Sequence, residues 1–79
     1  MVVMSSNVVG PRVRTARLEH KPPVTQRQLA ERLQLDGWDI SRAGIAKIEA
    51  GLRKVSDIEV TLLARTLSVS VAWLFDTSG

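Results

Sequence analysis

The sequence predicts an all-α domain built from five short helices. Prolines and glycines divide the 79 residues into short segments, and apolar residues recur within those segments at helical spacing. No segment shows the sustained apolar–polar alternation of a half-buried strand. A chain of this length forms one small domain, and short helices suit its limited core. We expect a helical domain at 10–75, a flexible lead-in at 1–9 and a frayed tail at 76–79.

The first two helices are predicted from their boundary residues. Pro11 suits the first turn of a helix, and Lys21-Pro22-Pro23 must end that helix because residues before proline avoid the α region. Thr25 and Gln28 have the spacing of a capping box that opens the second helix. Asp36-Gly37 is a turn signal near its end. The apolar stripe of the second helix consists of Leu29, Ala30 and Leu33.

The remaining three helices also begin at capping residues. Ser41 is a suitable N-cap for the third helix, and Gly51 supplies the left-handed residue that ends it. Ser56 and Glu59 form a second capping box, and Ser70 caps a last short turn. The inward-facing residues predicted for the third and fourth helices are Ile45, Ile48, Ile58, Leu62, Leu63 and Leu67.

Composition argues against several classes of function. Cysteine is absent, which removes disulfides and thiolate chemistry, and nothing near His20, the single histidine, completes a catalytic triad or a zinc site. No apolar run approaches the roughly 18 residues of a membrane span. We therefore predict no enzyme activity, no cofactor, no metal, no small-molecule ligand and no membrane association.

Positive charge is concentrated in one segment. The net charge is +3, yet residues 41–54 contain four cations and a single acid. Such a cluster attracts phosphate, although a solvated charged face is the alternative interpretation. The cations are Arg42, Lys47, Arg53 and Lys54.

The second and third helices, with the turn between them, have the order of a helix-turn-helix unit. In such a unit the second helix can lie in the DNA major groove. Arg42, near its start, can bind guanine through two hydrogen bonds, Ala43 can offer a methyl group to thymine, and Lys47 lies near the same face. Double-stranded DNA is therefore the predicted partner. The predicted phosphate contacts are Thr25, Gln26, Ser41, Arg53 and Lys54.

Three stretches resemble the λ repressor/Cro-like helix-turn-helix family, also called the xenobiotic-response-element family. They are TQRQLAERL, ISRAGIAKIEAG and VSDIEVTLLARTLSVSVAWLF, and the resemblance covers roughly residues 13–75. It implies a five-helix DNA-binding fold in which Gln26 binds phosphate and Arg42, Ala43 and Lys47 face bases. It also implies a structural salt bridge between Arg17 and Glu49.

The turn between the second and third helices departs from the family pattern. Leu35–Asp39 is an insertion, which predicts an extended turn. Asp36 and Asp39 would repel phosphate if they faced DNA. We therefore interpret Trp38 as an anchor that folds over the core, aided by Leu35 and Ile40; a partner-facing aromatic is the alternative.

The C-terminal stretch Trp73-Leu74-Phe75 cannot point inward as a whole, since three successive residues span most of a helical turn. We expect Leu74 to be buried and at least one aromatic to be partly exposed. Family members often dimerise through this end, so the resemblance implies a homodimer with Trp73 and Phe75 at its surface.

These features predict a sequence-specific transcriptional regulator of repressor-like type, acting in the prokaryotic cytoplasm at the nucleoid. The small side chains Ala43 and Gly44 leave open an alternative, a protein-interaction module of antitoxin or adaptor type.

Overall fold

A computed structural model describes residues 5–76, and in this part of the chain the regular secondary structure consists of α-helices alone. The predicted all-α fold of five helices is therefore confirmed. Residues 1–4 of the predicted lead-in and residues 77–79 of the predicted tail lie outside the described residues. The helices are α1 (Gly10–Glu19), α2 (Gln26–Leu35), α3 (Arg42–Glu49), α4 (Asp57–Leu67) and α5 (Val71–Phe75).

Local capping explains where the helices begin. The hydroxyl of Thr25 accepts a hydrogen bond from the Gln28 N–H at 3.0 Å, and the Gln28 side chain accepts one from the Thr25 N–H at 2.9 Å. Ser56 and Glu59 form the same reciprocal pair at α4. Each pair satisfies backbone donors that a helix terminus leaves free. After α3, Gly51 adopts φ +75°, a region that glycine enters without a steric penalty.

One apolar core joins all five helices. α3 packs against α1 and α2, while α4 packs against α1, α2 and α5. The long connection between α2 and α3 also contributes, through the buried Ile40 and the half-buried Trp38. The fully buried residues with the largest side chains are Leu29, Leu33, Ile45, Ile48, Leu63, Leu74, Val9, Val13 and Val24.

The prediction that Ile58 faces inward is wrong. Its side chain is 71% exposed, whereas Val60, Leu63, Ala64 and Leu67 are buried. These four residues recur at intervals of three and four and form one stripe. Ile58 precedes Val60 by two residues, or about 200° around the helix, and therefore points away from the core.

Residues 5–9, the described part of the expected lead-in, contact the rest of the domain. Val9 is only 1% exposed, and the backbone N–H of Ser6 donates to the Gly51 carbonyl at 2.8 Å. This segment therefore packs against the end of α3 instead of extending into solvent.

Candidate nucleic-acid interface

α3 has one buried face and one exposed face. Ile45 and Ile48 lie in the core, whereas Arg42, Ala43 and Lys47 are exposed. Among the described residues, neither Arg42 nor Lys47 has an ion-pair partner. The structure therefore places the three predicted base-contacting residues on the outer surface of one helix, with both cationic side chains available to a ligand.

The first turn of α3 is closely packed on its inner side. The Ser41 hydroxyl caps the helix by accepting from the Gly44 N–H at 3.1 Å. A Cβ atom on Gly44 would lie 2.7 Å from Cγ1 of the buried Ile40. Glycine at this position thus lets the end of the extended turn pack under the start of α3.

Hydrogen bonds fix the extended turn to the end of α2. The Gln34 amide donates to the Ile40 carbonyl at 2.7 Å, and the Trp38 N–H donates to the Leu33 carbonyl at 3.0 Å. Trp38 is half-buried against the core, as an anchor requires. Leu35 does not assist it, because its side chain is 88% exposed. That part of the interpretation is wrong: Leu35 ends α2 on the solvent side.

Three helices meet at the Glu49 carboxylate. Arg17 donates to it from Nε at 2.7 Å and from Nη2 at 3.0 Å, and its Nη1 donates to the Val24 carbonyl. Gln26 donates to the same carboxylate at 3.2 Å. Gln26 is thus partly engaged inside the protein, and its contact with phosphate remains a prediction.

Arg53 makes an ion pair that was not evident from the sequence. Its Nη1 and Nη2 atoms donate to the two oxygens of Glu59 at 3.2 and 3.3 Å, and its guanidinium carbon lies 5.5 Å from the centre of the Trp38 ring. Opposite charges six residues apart in the sequence were the only indication of this pair. Whether the two side chains meet depends on the conformation of the loop between them. Arg53 therefore uses its guanidinium within the protein, and its contact with phosphate remains a prediction.

The contact with Arg53 also changes the pKa of the Glu59 carboxyl group. Its burial raises the pKa, but hydrogen bonds from Arg53 and the Ser56 N–H, together with the positive charge of Arg53, outweigh that effect. The pKa of Glu59 therefore lies below its ordinary value of 4.5.

Three further predicted phosphate contacts are exposed. Thr25 and Ser41 present their hydroxyls at the starts of α2 and α3, where backbone N–H groups also point outward. Lys54 is exposed and has no ion-pair partner among residues 5–76. It is therefore the available cation of the loop between α3 and α4.

The two aromatic residues of the predicted dimer surface, Trp73 and Phe75, differ in how accessible they are. Leu74 is fully buried and Phe75 is 47% exposed. Trp73 is half-buried, and the Arg12 guanidinium lies 3.6 Å from the centre of its ring while Arg12 Nε donates to the Trp73 carbonyl. Arg12 thus covers one face of Trp73, so Phe75 is the more accessible aromatic.

The described residues contain no cluster of histidine, cysteine and acidic side chains able to hold a metal ion. Within the same residues, no helix has the length and apolar character needed to cross a membrane.

Two packed helices joined by a turn, the second with an exposed cationic face, define a helix-turn-helix DNA-binding domain. A family model described as helix-turn-helix matches residues 24–74, more than half of the chain. The chain therefore belongs to the helix-turn-helix family, in its λ repressor-like, xenobiotic-response-element branch, and the predicted membership is confirmed. No curated protein and no solved structure gives a significant match.

Proposed function

We propose that this protein is a sequence-specific transcriptional regulator of repressor-like type that inserts α3 into the major groove of DNA. The observation that carries the proposal is the orientation of α3. Ile45 and Ile48 fix it to the core, and Arg42 and Lys47 project from its exposed face without ion-pair partners among the described residues. Arg42 binds a guanine, Ala43 contacts a thymine methyl group and Lys47 contacts a neighbouring base.

Phosphate contacts on both sides of α3 set its register. The starts of α2 and α3 offer backbone N–H groups beside the Thr25 and Ser41 hydroxyls, and Gln26 lies at the first of them. Lys54 supplies a full charge from the following loop. Arg53 is left out of this set because its guanidinium is bound to Glu59.

The regulator acts as a homodimer in this proposal. Phe75 is exposed at the end of α5 and borders a groove whose lining includes Val8 and Val55 as well as the polar Asn7 and Lys54; its apolar part gives a second copy a contact surface. A two-fold dimer matches a palindromic operator. Phe75→Ser should lower the apparent mass in sedimentation equilibrium at protein concentrations where the wild type is dimeric; a wild type that stays monomeric would overturn this part.

The proposed action is binding to DNA in the prokaryotic cytoplasm, without catalysis. It uses only a cationic helix face, helix N-termini and an exposed lysine, and no cofactor takes part. Occupancy of a promoter would then control access of polymerase.

Selection from a random pool of DNA duplexes tests the function. We expect an enriched, palindromic motif whose binding weakens steeply with salt, since each neutralised phosphate contributes about 0.9 to the slope of log K against log salt. Lys47→Ala should weaken binding to the selected sequence. Arg65→Ala removes an equal charge from an exposed position on α4 and should change affinity less. Absence of enrichment, with a shallow salt slope, would contradict the proposal.

The second candidate is a protein-interaction module. The specific observation in its favour is the groove lined by Val8, Val55 and the half-exposed Phe75. If DNA selection fails while the wild type remains folded, this groove is the surface to mutate in a search for a protein partner.

A further inference from the structure

We propose that Asn7 is a positioning residue for DNA binding, which holds the loop after α3 so that Lys54 meets phosphate. This inference rests on the proposed function. It assigns a role to the segment before α1, at residues outside the part of the chain that the family model matches.

The Asn7 amide joins three backbone groups from different parts of the domain. Its Nδ2 donates to the Ile48 carbonyl at 3.1 Å and to the Arg53 carbonyl at 2.7 Å. Its Oδ1 accepts from the Gly10 N–H at 2.7 Å. Both amide hydrogens are therefore used, and a single side chain connects the start of α1, the end of α3 and the following loop.

The neighbouring residues bring the same elements into close contact. Ser6 donates through its N–H to the Gly51 carbonyl at 2.8 Å. A Cβ atom on Gly10 would overlap the Ile48 carbonyl oxygen, and one on Gly51 would overlap the Ser5 hydroxyl. The two glycines thus permit the approach that places Asn7 within reach of the loop.

Hydrogen bonds fix both the backbone and the side chain of Arg53. Asn7 binds its backbone carbonyl, while Glu59 binds its guanidinium and the Trp38 ring lies near it. The next residue is Lys54, which is exposed. Because its neighbour is fixed, Lys54 begins from a defined backbone position, and less conformational freedom is lost when its ammonium group binds phosphate.

A double-mutant cycle separates this role from a general effect on stability. Asn7→Ala and Lys54→Ala are measured singly and together against a random-sequence DNA duplex pool of fixed length. Each single change should weaken binding by roughly threefold to tenfold and lower the salt slope by up to about one. If Asn7 acts through Lys54, the double variant should bind no worse than Lys54→Ala alone.

Two further variants keep the test decisive. Ser6→Ala, in the same segment, leaves the amide hydrogen bonds intact and should retain wild-type affinity. Asn7→Ser replaces Asn7→Ala if the latter does not fold, because a serine hydroxyl can still accept from the Gly10 N–H but cannot span both carbonyls. Circular dichroism at the assay temperature establishes that each variant is folded.

The outcomes distinguish this inference from the function beneath it. If wild type binds the pool with a steep salt dependence but the two changes are additive, Asn7 is not a positioning residue and the DNA-binding function stands. If wild type shows no salt-dependent binding, the proposed function itself fails and the inference fails with it.

Discussion

Arg17 and Glu49 form a two-point ion pair, with guanidinium-to-carboxylate distances of 2.7 and 3.0 Å. Their side chains are 9% and 5% exposed. The pair ties α1 to the last residue of the proposed reading helix, and Gln26 adds α2 through its own bond to Glu49. The orientation of α3 therefore depends on a buried polar contact as well as on Ile45 and Ile48.

Removing Arg17 should strongly destabilise the fold. Arg17→Met leaves the Glu49 carboxylate buried without its cation, at a cost of roughly 3–5 kcal/mol. For a domain of this size, that corresponds to a melting temperature lower by about 12 °C or more. Thermal unfolding followed by circular dichroism measures the change.

Two comparisons make that measurement specific. Arg27→Ala breaks an ion pair with Glu31 whose side chains are 81% and 60% exposed, and it should cost less than about 0.5 kcal/mol. The double variant Arg17→Met with Glu49→Leu should be more stable than Arg17→Met alone, because no unpaired carboxylate remains. Equal loss for the buried and exposed pairs would refute the role given to Arg17.

Trp38 and Leu35 provide a second matched comparison, within the extended turn. Trp38 is half-buried against the core, whereas Leu35 is 88% exposed. Trp38→Ala should lower the unfolding free energy by roughly 1–3 kcal/mol, below the range for a fully buried tryptophan. Leu35→Ala should have little effect. Urea unfolding curves test both, and similar losses for the two variants would show that Trp38 is not an anchor.

The lowered pKa of Glu59 leads us to expect that the stability of the fold depends on pH. Its pKa is lower in the folded state than its ordinary value of 4.5, so the contribution of the Arg53–Glu59 pair is fully present above that value. The contribution is lost as the pH falls through the lowered pKa, when the folded protein must bind a proton. Urea midpoints measured from neutral pH to about pH 3 should fall less steeply for Glu59→Gln than for wild type.

Glu31→Gln is the control for that titration. Its partner Arg27 is largely exposed, so the slope should match wild type. An unchanged slope in Glu59→Gln would mean that the carboxyl does not contribute to acid unfolding.

Gly44→Ala should reduce stability, against the usual helix preference. Alanine is favoured over glycine by about 1 kcal/mol in a helix interior. Here the new Cβ would lie 2.7 Å from Cγ1 of Ile40, a buried side chain without room to move freely. A raised melting temperature for Gly44→Ala would show that the end of the extended turn is not tightly packed under α3.

The features of the fold that are predictable from the sequence are those determined by local interactions. Thr25 and Ser56 each act on residues within the next turn, so the starts of α2 and α4 could be read directly from composition and spacing. The core-facing positions of α3 followed from helical periodicity. The inward position predicted for Ile58 is wrong because its helical spacing to Leu62 does not follow the buried stripe, which runs through Val60, Leu63 and Leu67.

The resemblance implied the distant Arg17–Glu49 pair, but two other contacts between distant residues escaped prediction for a physical reason. Asn7 and Arg53 are 46 positions apart, and their hydrogen bond depends on how α1 docks on α3. The contact of Arg12 with Trp73 similarly depends on packing of the chain ends. No local spacing records such contacts. The exposure of Arg42 and Lys47, by contrast, follows from their positions around a single helix whose buried face contains Ile45 and Ile48.

Base preference at the position read by Arg42 is the most direct measure of the proposed role of α3. Selection from a random duplex pool should give the wild type a defined motif containing guanine, and Arg42→Ala should lose preference at that position with a cost of roughly 1–3 kcal/mol. Arg65→Ala should retain the complete motif. An unchanged motif in Arg42→Ala would contradict base reading by α3.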